Sequence, residues 1–74
     1  MEATNELMFE KYILKEEFKG SEVNYVVTDD SGYVCRLVPN EFEFVLSSQD
    51  IAIKNIPKRS LIKRISDFIV ERNA

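Results

Sequence analysis

The stretch EVNYVVTDDSGYVCRLV, residues 22–38, constrains the fold more than any other part of the chain. Two runs rich in Val and Tyr flank DDSG, a composition that supplies the tight turn of a β-hairpin. Alternation puts Val23, Tyr25 and Val27 on one face of the first run, and Tyr33, Cys35 and Leu37 on one face of the second. Pro39-Asn40 then breaks the chain. EFEFVL, residues 41–46, alternates Phe42, Phe44 and Leu46 against Glu41, Glu43 and Val45, the period of a half-buried strand. A helix capped by Asn40, with Glu43 three residues on, would turn Phe44 away from the other apolar residues, so the strand is preferred. SSQD reads as a turn, DIAIKNI as a short return strand carrying Ile51 and Ile53, and Ile56-Pro57 as its end.

Residues 5–19 pull two ways. Their composition suits a helix, with Thr4 or Asn5 as cap and Gly20 as stop. The pattern does not suit one. At 100° per residue Leu7, Leu14 and Phe18 fall together, Phe9 and Ile13 fall opposite, and Lys11 and Lys15 land inside the stripe. A strand with a bulge near Glu10-Lys11 sets Leu7, Phe9, Tyr12, Leu14 and Phe18 on one face. KGSE is then the turn into the next strand.

KRSLIKRISDFIVER, residues 58–72, is the one strongly helical segment. Leu61, Ile62, Ile65, Phe68 and Ile69 form a single apolar stripe, as on a helix docked against a core, and Pro57 suits its start. The far face mixes signs: Lys63 and Arg64 lie within a turn of Asp67, and Arg64 shares its side with Glu71. A phosphate-binding or membrane-surface helix would keep that face free of acids. Lys58 and Arg59 occupy the first turn, where the helix dipole disfavours cations. The expectation is that Lys58, Arg59 and Lys63 face an acidic surface, either this chain's own strands or a partner's.

Strands first and helix last imply an α+β fold: an antiparallel meander of four or five short strands with one face on the C-terminal amphipathic helix. At 74 residues, 1–74 is one small domain, strand-rich over 6–56 and helical over 58–72. A domain this small is only marginally stable. The hairpin's second face is also partly apolar, with Val26, Val34 and Val38, and Val45 in the next strand. A sheet with one wet face alternates more cleanly, so the N-terminal segment, a second copy of the chain or a different protein is expected to cover it.

Charge is divided along the chain. Residues 1–53 carry eleven acids against four bases, and residues 54–74 carry six bases against two acids. Acidic strands and a basic helix attract each other within one chain or across a dimer. The start MEATNELMFE has neither a basic n-region nor an apolar core, and no apolar run reaches the roughly 20 residues of a bilayer span. With Cys35 alone there is no internal disulfide, so a reducing cytosol is the expected compartment, and no membrane role is.

Chemistry is sparse. The chain has no histidine, the usual general base and commonest metal ligand. One cysteine excludes a Cys-based zinc site within one chain, and Cys35 reads as a small buried strand residue. DDSG lacks the ligand spacing of an EF-hand. Glu16-Glu17 and Glu41/Glu43 are paired carboxylates without a cleft. Gly20 and Gly32 are isolated, so no phosphate loop occurs. Tyr25, Tyr33, Phe42 and Phe44 alternate with acids and Asn, unlike an RNA-stacking sheet, which sets aromatics beside Lys and Arg. The acids also permit mimicry of a nucleic-acid backbone. No catalytic, metal or cofactor residue is expected, and the chain is not expected to be an enzyme.

The expected function is a small cytosolic protein-binding module that occupies a partner's surface as inhibitor, adaptor or accessory subunit. A phage-borne or mobile-element inhibitor fits this profile. The candidate contact residues are Lys58, Arg59, Lys63, Val34, Val38, Glu41 and Glu43. A nucleic-acid-associated factor using Lys54, Lys58, Arg59 and Lys63 is the second reading. A subunit that self-associates through the second apolar face is the third.

Overall fold

The computed structural model describes residues 5–74. These residues form strands β1 (Glu6–Phe9), β2 (Tyr12–Lys19), β3 (Glu22–Asp29), β4 (Gly32–Asn40) and β5 (Glu43–Leu46), then helices α1 (Ser48–Ala52) and α2 (Arg59–Asn73). The strands make one antiparallel sheet in chain order, β1-β2-β3-β4-β5. The meander and its C-terminal helix are the α+β architecture that alternation and the wheel predict.

Each pair of consecutive strands is joined by two residues: Glu10-Lys11, Gly20-Ser21, Asp30-Ser31 and Glu41-Phe42. Two-residue hairpin loops favour primed turns, which need positive φ at the first loop position. Gly20 meets that requirement at φ 63°, and Glu10 and Glu41 adopt it at 54° and 59°. Ser31 N–H donates to Asp29 Oδ1 at 2.8 Å, an Asx turn that closes the third hairpin.

Residues 5–19 are therefore extended, but as a hairpin rather than a bulged strand. The turn at Glu10-Lys11 preserves the face assignment, because Leu7 pairs with Leu14 and Phe9 with Tyr12. Thr4, one of the two alternative caps, lies outside the described residues.

Leu14, Tyr25, Val27, Cys35, Leu37 and Phe44 from the sheet bury with Leu61, Ile65 and Ile69 from α2. Tyr25 meets Phe44 edge-on at 5.2 Å between ring centroids, and Phe9 meets Phe68 at 4.9 Å. Arg64 crosses to the β1–β2 turn, its Nε and Nη2 each 3.3 Å from a Glu10 carboxylate oxygen. It pairs there rather than with Asp67 or Glu71.

Three further expectations are corrected. Pro39-Asn40 does not break the chain; β4 runs through it, since its ladder to β3 ends at Leu37 and no N–H is required of Pro39 on that side. Phe42 lies in the turn, 91% exposed, and the last strand keeps only Glu43–Leu46. DIAIKNI is not a strand. Ser47 caps α1, its Oγ accepting from Asp50 N–H at 3.3 Å, and Ile51 and Ile53 face outward.

A register shift between Val27 and Thr28 sets Thr28 against Tyr33, leaving Val34 as the extra residue of β4. Tyr33 therefore leaves the face of Cys35 and Leu37, and Val34 packs against the core.

Candidate functional site

β5 pairs only with Leu37–Asn40, so the edge of β4 from Tyr33 to Arg36 has no strand beside it. Side-chain and backbone groups of residues 47–55 take its place. Arg36 N–H donates to Asp50 Oδ2 at 2.8 Å, and Arg36 C=O accepts from Ser47 N–H at 2.9 Å. Val34 C=O accepts from Asn55 Nδ2 at 3.0 Å. Asp50, only 2% exposed, also accepts from Tyr33 Oη, Ser47 Oγ and Asn55 Nδ2 at 3.0–3.1 Å. Burial works against its charge, but the donors from Asn55, Arg36, Tyr33 and Ser47 outweigh it and hold the carboxyl below its usual value. Tyr33 is pushed up to about 12 by burial and by this carboxylate.

With its polar atoms committed inward, residues 47–56 turn isoleucines outward. Ile51, Ile53 and Ile56 are 54%, 72% and 62% exposed. Ile51 separates two grooves of about 620 Å³ each. One runs over the second sheet face past Val38 and Val45. The other runs between β5 and α2, past Phe44, Ile56, Ile62, Arg59 and Lys63, with Glu43 and Asp67 in its wall. Val45, Leu46 and Ile51 belong to both, so the two grooves flank one apolar ridge.

The outer edge of β5 is interrupted at Phe44. Phe44 N–H points away from β4 and donates to the buried Ser66 Oγ of α2 at 2.8 Å.

The ridge gathers four of the expected contact residues: Val38 in one groove, and Glu43, Arg59 and Lys63 in the other. Lys58 is exposed at the N-cap of α2, without a side-chain cap bond. Glu41 stands apart, in the β4–β5 turn beside Phe42 and Val70, and Val34 packs inward. Lys63 pairs with Asp67 at 3.4 Å, within its own helix. Among the described residues no acid lies within ion-pair distance of Lys54, Lys58 or Arg59. No ion pair joins Lys58 or Arg59 to the described strands, although Glu43 of β5 lines the same groove as Arg59; Arg64 makes the helix-to-sheet ion pair.

The sequence suggests a short return strand carrying Ile51 and Ile53, with Ile56-Pro57 as its end, where the structure has α1 and an exposed loop. Ser47 and Asp50, spaced as N-cap and third helical residue, were the available signal for a helix there.

The paired carboxylates separate. Glu16 is buried on the α2 side, accepting from Tyr25 Oη at 2.6 Å, and Glu17 lies on the other face, 2.8 Å from Arg36 Nη1. The hydrogen bond from Arg36, and its charge, hold the Glu17 carboxyl below its usual value. The Cys35 thiol is buried and pushed up to about 12, mainly by desolvation, which leaves it protonated and a poor nucleophile at neutral pH. Among the described residues no three His, Cys, Asp or Glu side chains come together as a metal site. No described helix is long and apolar enough to cross a membrane. The chain matches no protein-family model, no curated protein and no solved structure.

Proposed function

We propose that this protein is a small protein-binding module, without catalytic chemistry of its own, that works in a reducing cytosol by occupying a partner's surface. The observation that carries this reading is the ridge. Ile51 and Ile56 stay more than half exposed in grooves that continue the apolar surface onto Val38, Val45 and Ile62, and Ile53, also exposed, stands beside Tyr33 and Ala52. Isolated exposed apolar residues are ordinary, but a contiguous patch rimmed by charge marks an interaction surface. Inhibitor, adaptor and accessory subunit all use such a surface in the same way.

The test is capture from nuclease-treated lysate of the source cells. The wild-type chain, an Ile51→Asp/Ile56→Asp variant and a Met8→Asp control serve as baits. Met8 is exposed on β1, away from the ridge. A stoichiometric protein held by the wild type and the control, but lost with the double variant, is the expected result. A partner held equally by all three places the contact elsewhere. Nucleic acid retained before nuclease, with no protein after it, supports the reading through Lys54, Lys58 and Arg59 instead.

A further inference from the structure

We infer that the groove between β5 and α2 receives an acidic amphipathic helix from a protein partner; this rests on the protein-binding reading above. Three features select that occupant. The first is backbone supply. An extended segment docks on a sheet by pairing with an open edge. Here Ser66 Oγ takes the Phe44 N–H, and Asp50 and Asn55 take the outward groups of β4 beyond β5. An incoming strand would find this short edge interrupted, whereas a helix brings its own satisfied backbone and needs no open edge.

The second is charge. Arg59 lines the groove, Lys58 precedes it, and Lys54 stands two residues before Ile56. None of the three cations has an ion-pair partner among the described residues. Glu43 and Asp67 also line the groove, but Asp67 pairs with Lys63, so these three cations face the single carboxylate of Glu43 at this rim and a negatively charged ligand is attracted.

The third is what a second copy lacks. The apolar stripe of α2 is already buried at Leu61, Ile65 and Ile69, and α1 has only five residues. Another copy therefore has no free amphipathic helix to offer. The α2 wall runs from Arg59 to Asp67, about 12 Å of helix rise. That length matches two turns of an occupant, with apolar anchors at i, i+3 or i+4, and i+7.

The experiment selects peptides from a random display library against the full chain, then measures synthetic copies of the enriched sequences. Enriched peptides are expected to be net acidic, to carry apolar residues at helical spacing, and to gain helical circular dichroism on adding the protein. Lys58→Glu/Arg59→Glu should weaken them about tenfold at low salt, with a smaller loss at high salt. Thermal melts establish that each variant is folded. Binders lost with Ile51→Asp/Ile56→Asp, yet neutral, basic or extended, overturn the helix inference while leaving the ridge as the binding surface. Binders indifferent to the isoleucine pair overturn both, and so does a library that yields no enriched class.

Discussion

The hairpins of residues 6–37 and the segment 47–56 cover backbone in opposite ways. In the hairpins each strand satisfies its neighbour, side chains follow the pleat, and loops shrink to two residues. In the segment, two polar side chains and one backbone N–H do what a strand would have done. The Asp50 and Asn55 side chains and the Ser47 N–H dress the bare edge of β4, and Ile51 and Ile53 between them are left facing out. A ladder distributes its stability over many equivalent bonds. A hub concentrates it in one carboxylate, and the surface it leaves is free to be used.

The sharpest way to break this contrast is Asp50→Ala. It strips the acceptor from Tyr33, Ser47, Asn55 and the Arg36 N–H at once, and should cost about 3 kcal/mol or more by urea denaturation. Hydrogen exchange should show the Arg36 amide losing protection before the β2–β3 amides do. Equal loss across the sheet would mean the hub is not a separate unit.

Within the hairpins, Tyr25→Phe is the matching cut. It removes the 2.6 Å donor to the buried Glu16 and should cost about 1–3 kcal/mol in the same assay. A cost as large as that of Asp50→Ala would erase the distinction between the regions.

Acid sharpens it from another side. The Asp50 carboxyl is depressed in the folded chain, so its contribution is complete above its unfolded value and fades as pH falls through the lower folded value. Stability followed from about pH 5 to pH 3 should fall more steeply in the wild type than in Asp50→Asn. Parallel curves would remove the hub from the acid response.

Two small effects complete the series. Glu41→Gly relieves a left-handed backbone at φ 59° and should stabilise by about 0.5–1 kcal/mol. Ile53→Ser should leave the melting curve within about 0.5 kcal/mol of wild type, because the side chain is 72% exposed. A marked loss there would show that this side chain belongs to the core.

The contrast also decides what could be read in advance. Alternation and the helical wheel recover the strands, the core face and the buried stripe of α2, because those elements satisfy their own backbone and expose their periodicity in the sequence. The Glu10-Lys11 turn escaped because neither residue is a usual occupant of positive φ; the same charged pair inside a strand reads as a bulge. The register shift at Val34 has no sequence mark, and it exchanges the faces of Tyr33 and Val34. Ile51 and Ile53 alternate like strand residues, yet a five-residue helix is too short to show a period of its own. Val38, Arg59, Lys63 and Glu43 were legible as chemical types but not as neighbours. What joins them is the path of residues 47–57 around the sheet edge.

A sheet whose strands lie in chain order makes its strand pairings between consecutive elements, whereas Arg64 reaches back 54 residues to Glu10. During synthesis the hairpins can therefore zip as they emerge, but one side of the finished sheet stays greasy and bare. Leu14, Tyr25, Val27 and Leu37 have nothing to lie against until Ile65 and Ile69 have left the ribosome. Until α2 emerges the growing chain carries an uncovered apolar face, an aggregation hazard that this helix retires.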